Sequence, residues 1–478
     1  MTKWSSLSTH HHEFRELMAI ALPSTVSTYC FFAISITELS VMGHLGVDQL
    51  AAVAFSQMSM DFSTLVLMQG FNAGLNALCS QAFGAKNYHL LGQYAQLTAF
   101  MVTLVCVPMA LLWWNLGELL VLAGVQPHVA TYARLYCRVS ILGLWPRSMF
   151  QVLSIYYQAQ QIVVPTTCIN VLTVALNFVL TMGLTYGSFG LPSLGFVGCP
   201  IGTAIALGVR LVVYVYYMNV YKKLHRRCPW RWNWSFLRWK VATELVGLGL
   251  PLTLGNLFEN AQLQTMALFA ASIGELQLGA HNSMMELFHF ISSPIFGLMG
   301  ASVTRMGSHL GAGNAARARL VGWIAGCLIA ALCAITGTGA VLYGRHLGYI
   351  FSDDPAVIDI FKRISAYGAV AYLILSVFCY AVIILEAQAR SIPIMIAFFA
   401  GAWVVGVPSA FFLGVHNGVK SIVGVWQGML LGYVGSASIA FGVVTCGTDW
   451  ELQARLAMER STEEKEKLAE QATLLLPQ

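Results

Sequence analysis

Twelve stretches of this chain are long and apolar enough to cross a lipid bilayer as helices, and that one feature removes most other folds. A spanning helix needs about 20 mostly apolar residues. The runs lie near 17–42, 50–80, 93–123, 131–158, 163–188, 197–221, 241–272, 280–305, 319–345, 358–388, 391–416 and 421–446. They lack period-two alternation and are too long for barrel strands. Composition agrees: the chain is 57% hydrophobic and 10% charged, against about 25% charged in a soluble domain. A soluble fold this apolar would expose adhesive patches, whereas lipid solvates them. The expected fold class is all-α, a polytopic membrane protein of about twelve transmembrane helices in two six-helix bundles.

The eleven cysteines sit mostly inside apolar runs, as in Tyr29-Cys30-Phe31 and Phe378-Cys379-Tyr380. None has metal-ligand spacing, so they read as small buried hydrophobes. Three consecutive histidines at 10–12 read as an accidental tract. No metal and no cofactor is expected. The net charge of +5 is dispersed over short connectors rather than one polar face, which argues against a nucleic-acid partner. The first apolar run is too long for a cleavable signal core and reads as a retained anchor.

Lysine and arginine orient the chain, because short cytoplasmic loops carry them in excess. The connector between spans six and seven holds Lys222, Lys223, Arg226, Arg227, Arg231, Arg238 and Lys240. Lys86, Arg317, Arg319 and the tail residues Arg455, Arg460, Lys465 and Lys467 fall on the same side. The opposite loops near 43–49, 124–130, 183–196 and 273–279 hold none, with Arg345, Lys362, Arg363 and Lys420 as exceptions. Both termini are therefore expected in the cytoplasm. The expected organisation is a tail over 1–16, a six-helix lobe over 17–221, a basic linker over 222–240, a second lobe over 241–446 and a charged tail over 447–478.

The two halves repeat. Gly46-Val47-Asp48-Gln49-Leu50-Ala51-Ala52 lines up with Gly274-Glu275-Leu276-Gln277-Leu278-Gly279-Ala280. Gly84-Ala85-Lys86-Asn87 lines up with Gly311-Ala312-Gly313-Asn314, Pro165 with Pro393, and Gly198 and Gly202 with Gly424 and Gly428. The offset stays near 227 throughout. Six helices per repeat put both halves in the same orientation, with the repeat axis along the membrane normal. Two bundles around a cleft suit alternating access.

These segments carry a family resemblance. Gly43-His44-Leu45-Gly46 followed by Leu50-Ala51-Ala52 resembles the first inter-helix connection of multidrug and toxic compound extrusion (MATE) transporters. Ser80-Gln81-Ala82-Phe83-Gly84-Ala85-Lys86-Asn87 is similar to that family's motif after span two. His309-Leu310-Gly311-Ala312-Gly313-Asn314 resembles its counterpart after span eight, and Gly424-Val425-Trp426-Gln427-Gly428 the opening of span twelve. The resemblance covers about 17 to 446 and looks eukaryotic. It implies two six-helix lobes that export organic solutes in exchange for protons or sodium.

Carboxylates inside spans are the candidate site residues. A central Asp costs about 2.5–3.5 kcal/mol on insertion scales, so such groups face cavities or partners. Burial favours the neutral form, which lets a carboxyl exchange protons near neutral pH. Glu259 in span seven is the leading candidate. Asn256, Glu259, Asn260 and Gln264 share one helical face, a polar stripe that implies a cavity. Glu259 resembles the span-seven glutamate of eukaryotic MATE proteins, while Gln264 stands where many of them carry a second acid. Glu38 resembles the span-one acid that bacterial relatives use for ion coupling; the competing reading is an acid solvated near the outer interface. Glu386 lies four residues before Arg390, where an i,i+4 ion pair competes with coupling; Cys379 stands nearer the family's span-ten acid. Glu286 with His289 offers either a proton relay or a core pair. Asp61 is a further candidate, with Arg147 as a counter-ion to one of these acids. Tyr29, Phe31, Phe32, Phe288 and Phe290 offer aromatic faces to a cation, although packing accounts for any one of them.

The expected function is secondary active antiport of organic solutes, organic cations or xenobiotics, against protons or sodium. The alternative is another twelve-helix carrier or a lipid-linked solute flippase. A major facilitator would place a basic Gly/Asp/Arg motif where this chain has Gly84-Ala85-Lys86-Asn87-Tyr88, and a flippase cavity would want more basic residues. No nucleotide-binding loop, zinc motif or nucleophile elbow is present, so no enzyme is expected. The expected partners are a small organic solute, the coupling ion and membrane lipid, with the chain a monomer in the plasma membrane or a vacuole-like endomembrane. Glu470-Gln471-Ala472-Thr473-Leu474-Leu475 has the spacing of an acidic dileucine sorting signal.

Overall fold

The computed structural model describes residues 2–122, 124–224, 237–348, 355–418 and 420–474, and every regular element among them is helical. In chain order they are α1 (Thr2–Gly43), α2 (Val47–Gly84), α3 (Tyr88–Trp114), α4 (Leu116–Leu122), α5 (Pro127–Ala159), α6 (Val164–Tyr186) and α7 (Gly198–Val215). There follow α8 (Trp239–Ile273), α9 (Glu275–Gly311), α10 (Ala315–Gly348), α11 (Pro355–Ala387), α12 (Ile392–Phe399), α13 (Val407–Gly414), α14 (Ile422–Gly447) and α15 (Trp450–Leu474). π-Helical turns extend α7 over Tyr216–Tyr221 and join α12 to α13 over Ala400–Gly406.

Among the described residues ten helices are long and apolar enough to cross a membrane, or eleven if the bent pair Asp48–Thr64 and Met68–Gly84 is one span. The remaining span is α5, equally long but more polar, with Arg134, Arg138, Arg147 and Gln151 along it. The expected boundaries differ mainly at two places. The run near 93–123 is split at Asn115 into α3 and α4. Of the stretch expected as a polar tail over 1–16, residues 2–16 form the start of α1, where Glu13 is fully buried and paired rather than solvated. The basic linker lies largely outside the described residues, as does Leu475 of the dileucine pair.

The chain divides into two compact units: an N-unit of Val26–Cys79 and Asn87–Val246, and a C-unit of Met1–Thr25, Ser80–Lys86 and Gly247–Gln478. The start of α1 and the end of α2 thus belong to the C-unit. In the C-unit a core of Met266, Met284, Phe361, Ile364, Trp426 and Met429 joins α8, α9, α11 and α14, and Trp426 has no exposed surface. The tail helix α15 packs on α9 and α10. There Arg460 donates to Gln81 Oε1 at 2.9 Å, and Gln81 donates to the Ala387 carbonyl at 2.7 Å.

The repeated motifs are repeated geometry. After α2 the chain turns through Lys86 at φ +57°, and Asn87 caps α3 by accepting from the Leu90 N–H at 3.1 Å. After α9 it turns through Gly313 at φ +73°, and Asn314 accepts from the Arg317 N–H at 3.0 Å. A side-chain oxygen at this position satisfies one of the helix's orphan donors. The preceding glycines let two helix ends cross at backbone distance. A Cβ on Gly84 would lie 1.9 Å from the Ser308 carbonyl oxygen, and one on Gly311 would lie 1.9 Å from that of Gln81.

Candidate functional site

In the N-unit, Glu38 lies five residues before the end of α1 and is only 6% exposed. Its carboxylate accepts from Gln57 Nε2 at 2.6 Å and from the Tyr136 hydroxyl at 2.9 Å. Thr203 Oγ1 donates to the other oxygen, and Asn177 Nδ2 donates to Thr203 Oγ1 at 2.8 Å. Four helices, α2, α5, α6 and α7, therefore converge on one acid of α1. The reading of Glu38 as an acid solvated at the outer interface is corrected: three donors fill most of the lone-pair sites of a carboxylate. Such charge-assisted bonds compensate the loss of water. Gln57, Tyr136, Asn177 and Thr203 were not singled out from sequence. Each is an ordinary polar residue in an apolar helix, and only the fold gathers them.

Asp61 of α2 pairs with Arg147 of α5 at 3.0 Å, so the expected counter-ion role of Arg147 falls on Asp61. The same guanidinium stacks 4.8 Å from the Phe31 ring centre. Phe31 thus already carries a resident cation on one face.

In the C-unit, Glu259 sits in the middle of α8 and is half-buried, with no hydrogen-bond or ion-pair partner among the described residues. Asn256, Asn260 and Gln264 are half-buried beside it, and Asn260 donates to the Asn256 carbonyl at 2.8 Å. One turn on from Glu259, Gln262 is buried against Gly406 and Gly432, with its Nε2 lacking an acceptor. The charges of Glu259 and Glu386 both reach Cys379 of α11, and that of Glu259 reaches Tyr433 of α14. The charges of Glu259 and Glu386 are thus both within electrostatic range of the cysteine standing near the family's span-ten acid.

The competing ion pair of Glu386 with Arg390 is absent. The chain turns at Ala389, at φ +57°, which ends the helix before an i,i+4 pair can form. Arg390 instead donates to the Gly447 carbonyl at 3.2 Å and to Thr448 Oγ1 at 3.4 Å. Glu286 and His289 share a face of α9 within range of each other's charge, but no hydrogen bond joins them. Both are exposed, which corrects the core-pair reading. Phe288 stacks on Tyr372 at 5.9 Å and is a packing residue. No group of three or more metal-binding side chains occurs among the described residues.

This is the architecture of a polytopic membrane transporter. Over 95% of this chain and all of its own, the crystal structure of the eukaryotic MATE transporter AtDTX14 superposes with a TM-score of 0.87 at 23% identity. The Vibrio cholerae MATE transporter VcmN in its bent form superposes with a TM-score of 0.79 at 18% identity, over 95% of this chain and 99% of its own. The MatE family model matches twice, over 23–182 and 251–412, in the register of the internal repeat. Protein DETOXIFICATION 10 of Arabidopsis thaliana is 27% identical over 94% of this chain and 91% of its own. The multidrug resistance protein NorM of Aliivibrio fischeri is 23% identical over 92% and 95%. The chain belongs to the MATE family of multi-pass membrane transporters.

Proposed function

We propose that this protein is a secondary active antiporter that exports organic solutes, organic cations and xenobiotics among them, in exchange for protons. Two six-helix lobes, 17–221 and 241–446, alternate in access. The observation that carries the reading is Glu259, a half-buried carboxylate in the middle of a spanning helix with no partner among the described residues. An acid at that depth is stable when protonated, wet or holding a cation. A proton and a cationic solute compete for the same oxygens, and competition for one carboxylate makes exchange obligatory. Protonation from outside releases the solute, and deprotonation toward the cytoplasm restores the site. Glu386 adds a second negative charge near the same cysteine. Glu38, ringed by donors, is the candidate coupling acid of the N-terminal half. Relatives named for detoxification and multidrug resistance support export as the direction. The carrier acts as a monomer in the plasma membrane or a vacuole-like endomembrane.

Purified protein in proteoliposomes tests the assignment. Under an imposed pH gradient, Glu259→Gln reduces transport of a fluorescent organic cation at least tenfold with unchanged insertion. Glu259→Asp keeps part of it with a shifted pH profile. A Gln variant that works at the parent rate would overturn the role of Glu259 and leave Glu38 as the coupling acid. Transport driven by a sodium gradient alone would replace the proton with sodium.

A further inference from the structure

Arg210 is a guanidinium in a spanning helix, and the mechanism above does not use it. It lies in α7, with roughly 16 Å of helix at 1.5 Å per residue before the span ends at Tyr221. That distance is too long for its side chain to reach the cytoplasmic water. Its guanidinium carbon lies 4.1 Å from the centre of the Phe150 ring, and Phe150 is wedged edge-on against Tyr214 at 4.9 Å. This cation–π contact holds the charge over the ring but satisfies none of its five N–H donors. Its Nε is buried without an acceptor, and no carboxylate pairs with it among the described residues.

The neighbourhood makes the vacancy in charge sharper. Arg147 is near enough for the two positive charges to repel. Asp61 neutralises Arg147 at 3.0 Å. Glu38 is also within range of Arg147, but its oxygens are held by Gln57, Tyr136 and Thr203. Cys30 of α1 completes the surroundings. Arg147 and Asp61 retain 19% and 30% side-chain exposure and Arg210 is half-buried, so the cluster is not sealed. Two arginines and one paired aspartate leave one positive charge, presented as a planar fork on an aromatic backing. A fork of that geometry matches a carboxylate in bidentate fashion.

We propose that Arg210, backed by Phe150 and flanked by the Arg147–Asp61 pair, is a substrate subsite that binds the carboxylate of an organic monoanion or zwitterion. It deepens the proposed transport of organic solutes, on which it rests, by adding acid-bearing solutes to the substrate class. An organic cation has nothing to gain at Arg210, so the two classes separate there.

Equilibrium binding to purified protein in detergent tests the subsite without requiring transport. The probe is radiolabelled p-aminohippurate, an aromatic monocarboxylate, with tetraphenylphosphonium as the cationic control. The parent binds p-aminohippurate saturably, and Arg210→Gln weakens it at least tenfold while tetraphenylphosphonium binding stays within twofold. Arg210→Lys, which keeps the charge but loses the fork, falls between them and decides the matter if the Gln variant misfolds. Equal p-aminohippurate affinity in the parent and either folded variant would overturn the subsite. So would the absence of saturable p-aminohippurate binding in a parent that still binds tetraphenylphosphonium. Loss of proton-driven exchange with p-aminohippurate binding intact would instead count against the antiport reading alone.

Discussion

Thr203 gives its hydroxyl hydrogen to Glu38 from a helix 165 residues further along the chain. The acid on α1 is thereby tied to α7, and through Gln57 and Tyr136 to α2 and α5. Glu38 is consequently both a candidate ion-coupling group and a fastener of the N-unit. Any conformational step that frees its oxygens must break contacts among four helices.

Removing one donor tests the fastening. Tyr136→Phe and Thr203→Val each lower stability by about 1–3 kcal/mol, the cost of leaving one charged acceptor short of a partner. Thermal unfolding in detergent reads the loss. In a Glu38→Gln background the same substitutions cost less, with a coupling of about 0.5–3 kcal/mol. Strict additivity would show that the shell does not act through Glu38.

Glycine replacements separate crossing points from free helix surface. Gly84→Ala and Gly311→Ala each drive a Cβ to 1.9 Å from a carbonyl oxygen on the facing helix, so both lower the melting temperature sharply. Gly208→Ala in α7 meets nothing within 4 Å. It gains up to about 1 kcal/mol of helix propensity instead. A neutral Gly84→Ala would contradict the crossing described here.

Glu13 accepts from Arg305 at 2.9 Å and lies 3.1 Å from His309, with no exposed surface of its own. Removing one partner of a buried ion pair costs about 3–5 kcal/mol. Glu13→Gln therefore lowers thermal stability well beyond Glu16→Gln, whose carboxylate is a third exposed. Equal melting temperatures for the two variants would mean that the start of α1 is not held by this pair.

Topology is checked in a cysteine-free background. Single cysteines at 230 and 455 resist an impermeant thiol reagent in intact cells and react after permeabilisation. Labelling of either from outside would reverse the orientation read from the basic connectors.

The sequence by itself determined the fold class, the helix count and the internal repeat. Bilayer thickness sets the length of every apolar run, and backbone hydrogen bonding in lipid leaves helices as the solution for runs of that length. Glu259 and Glu38 were legible for the same reason, since a carboxylate among apolar residues stands out in one dimension. Tertiary structure alone decided which of the acids are held and which are free. Glu38 is held by donors from three other helices, Asp61 is neutralised by Arg147, and Glu386 is not bound to Arg390, which turns instead to Gly447 and Thr448. Gln57, Tyr136, Asn177 and Thr203 carry no local signal of their own, and Arg210, conspicuous as a charge among apolar residues, shows its aromatic stacking and its unpaired Nε only in the fold. Their significance arises from distances between helices far apart in the chain, and those distances follow from close approaches such as those of α7 to α6 at Gly198 and Gly202, where a single methyl group would not fit.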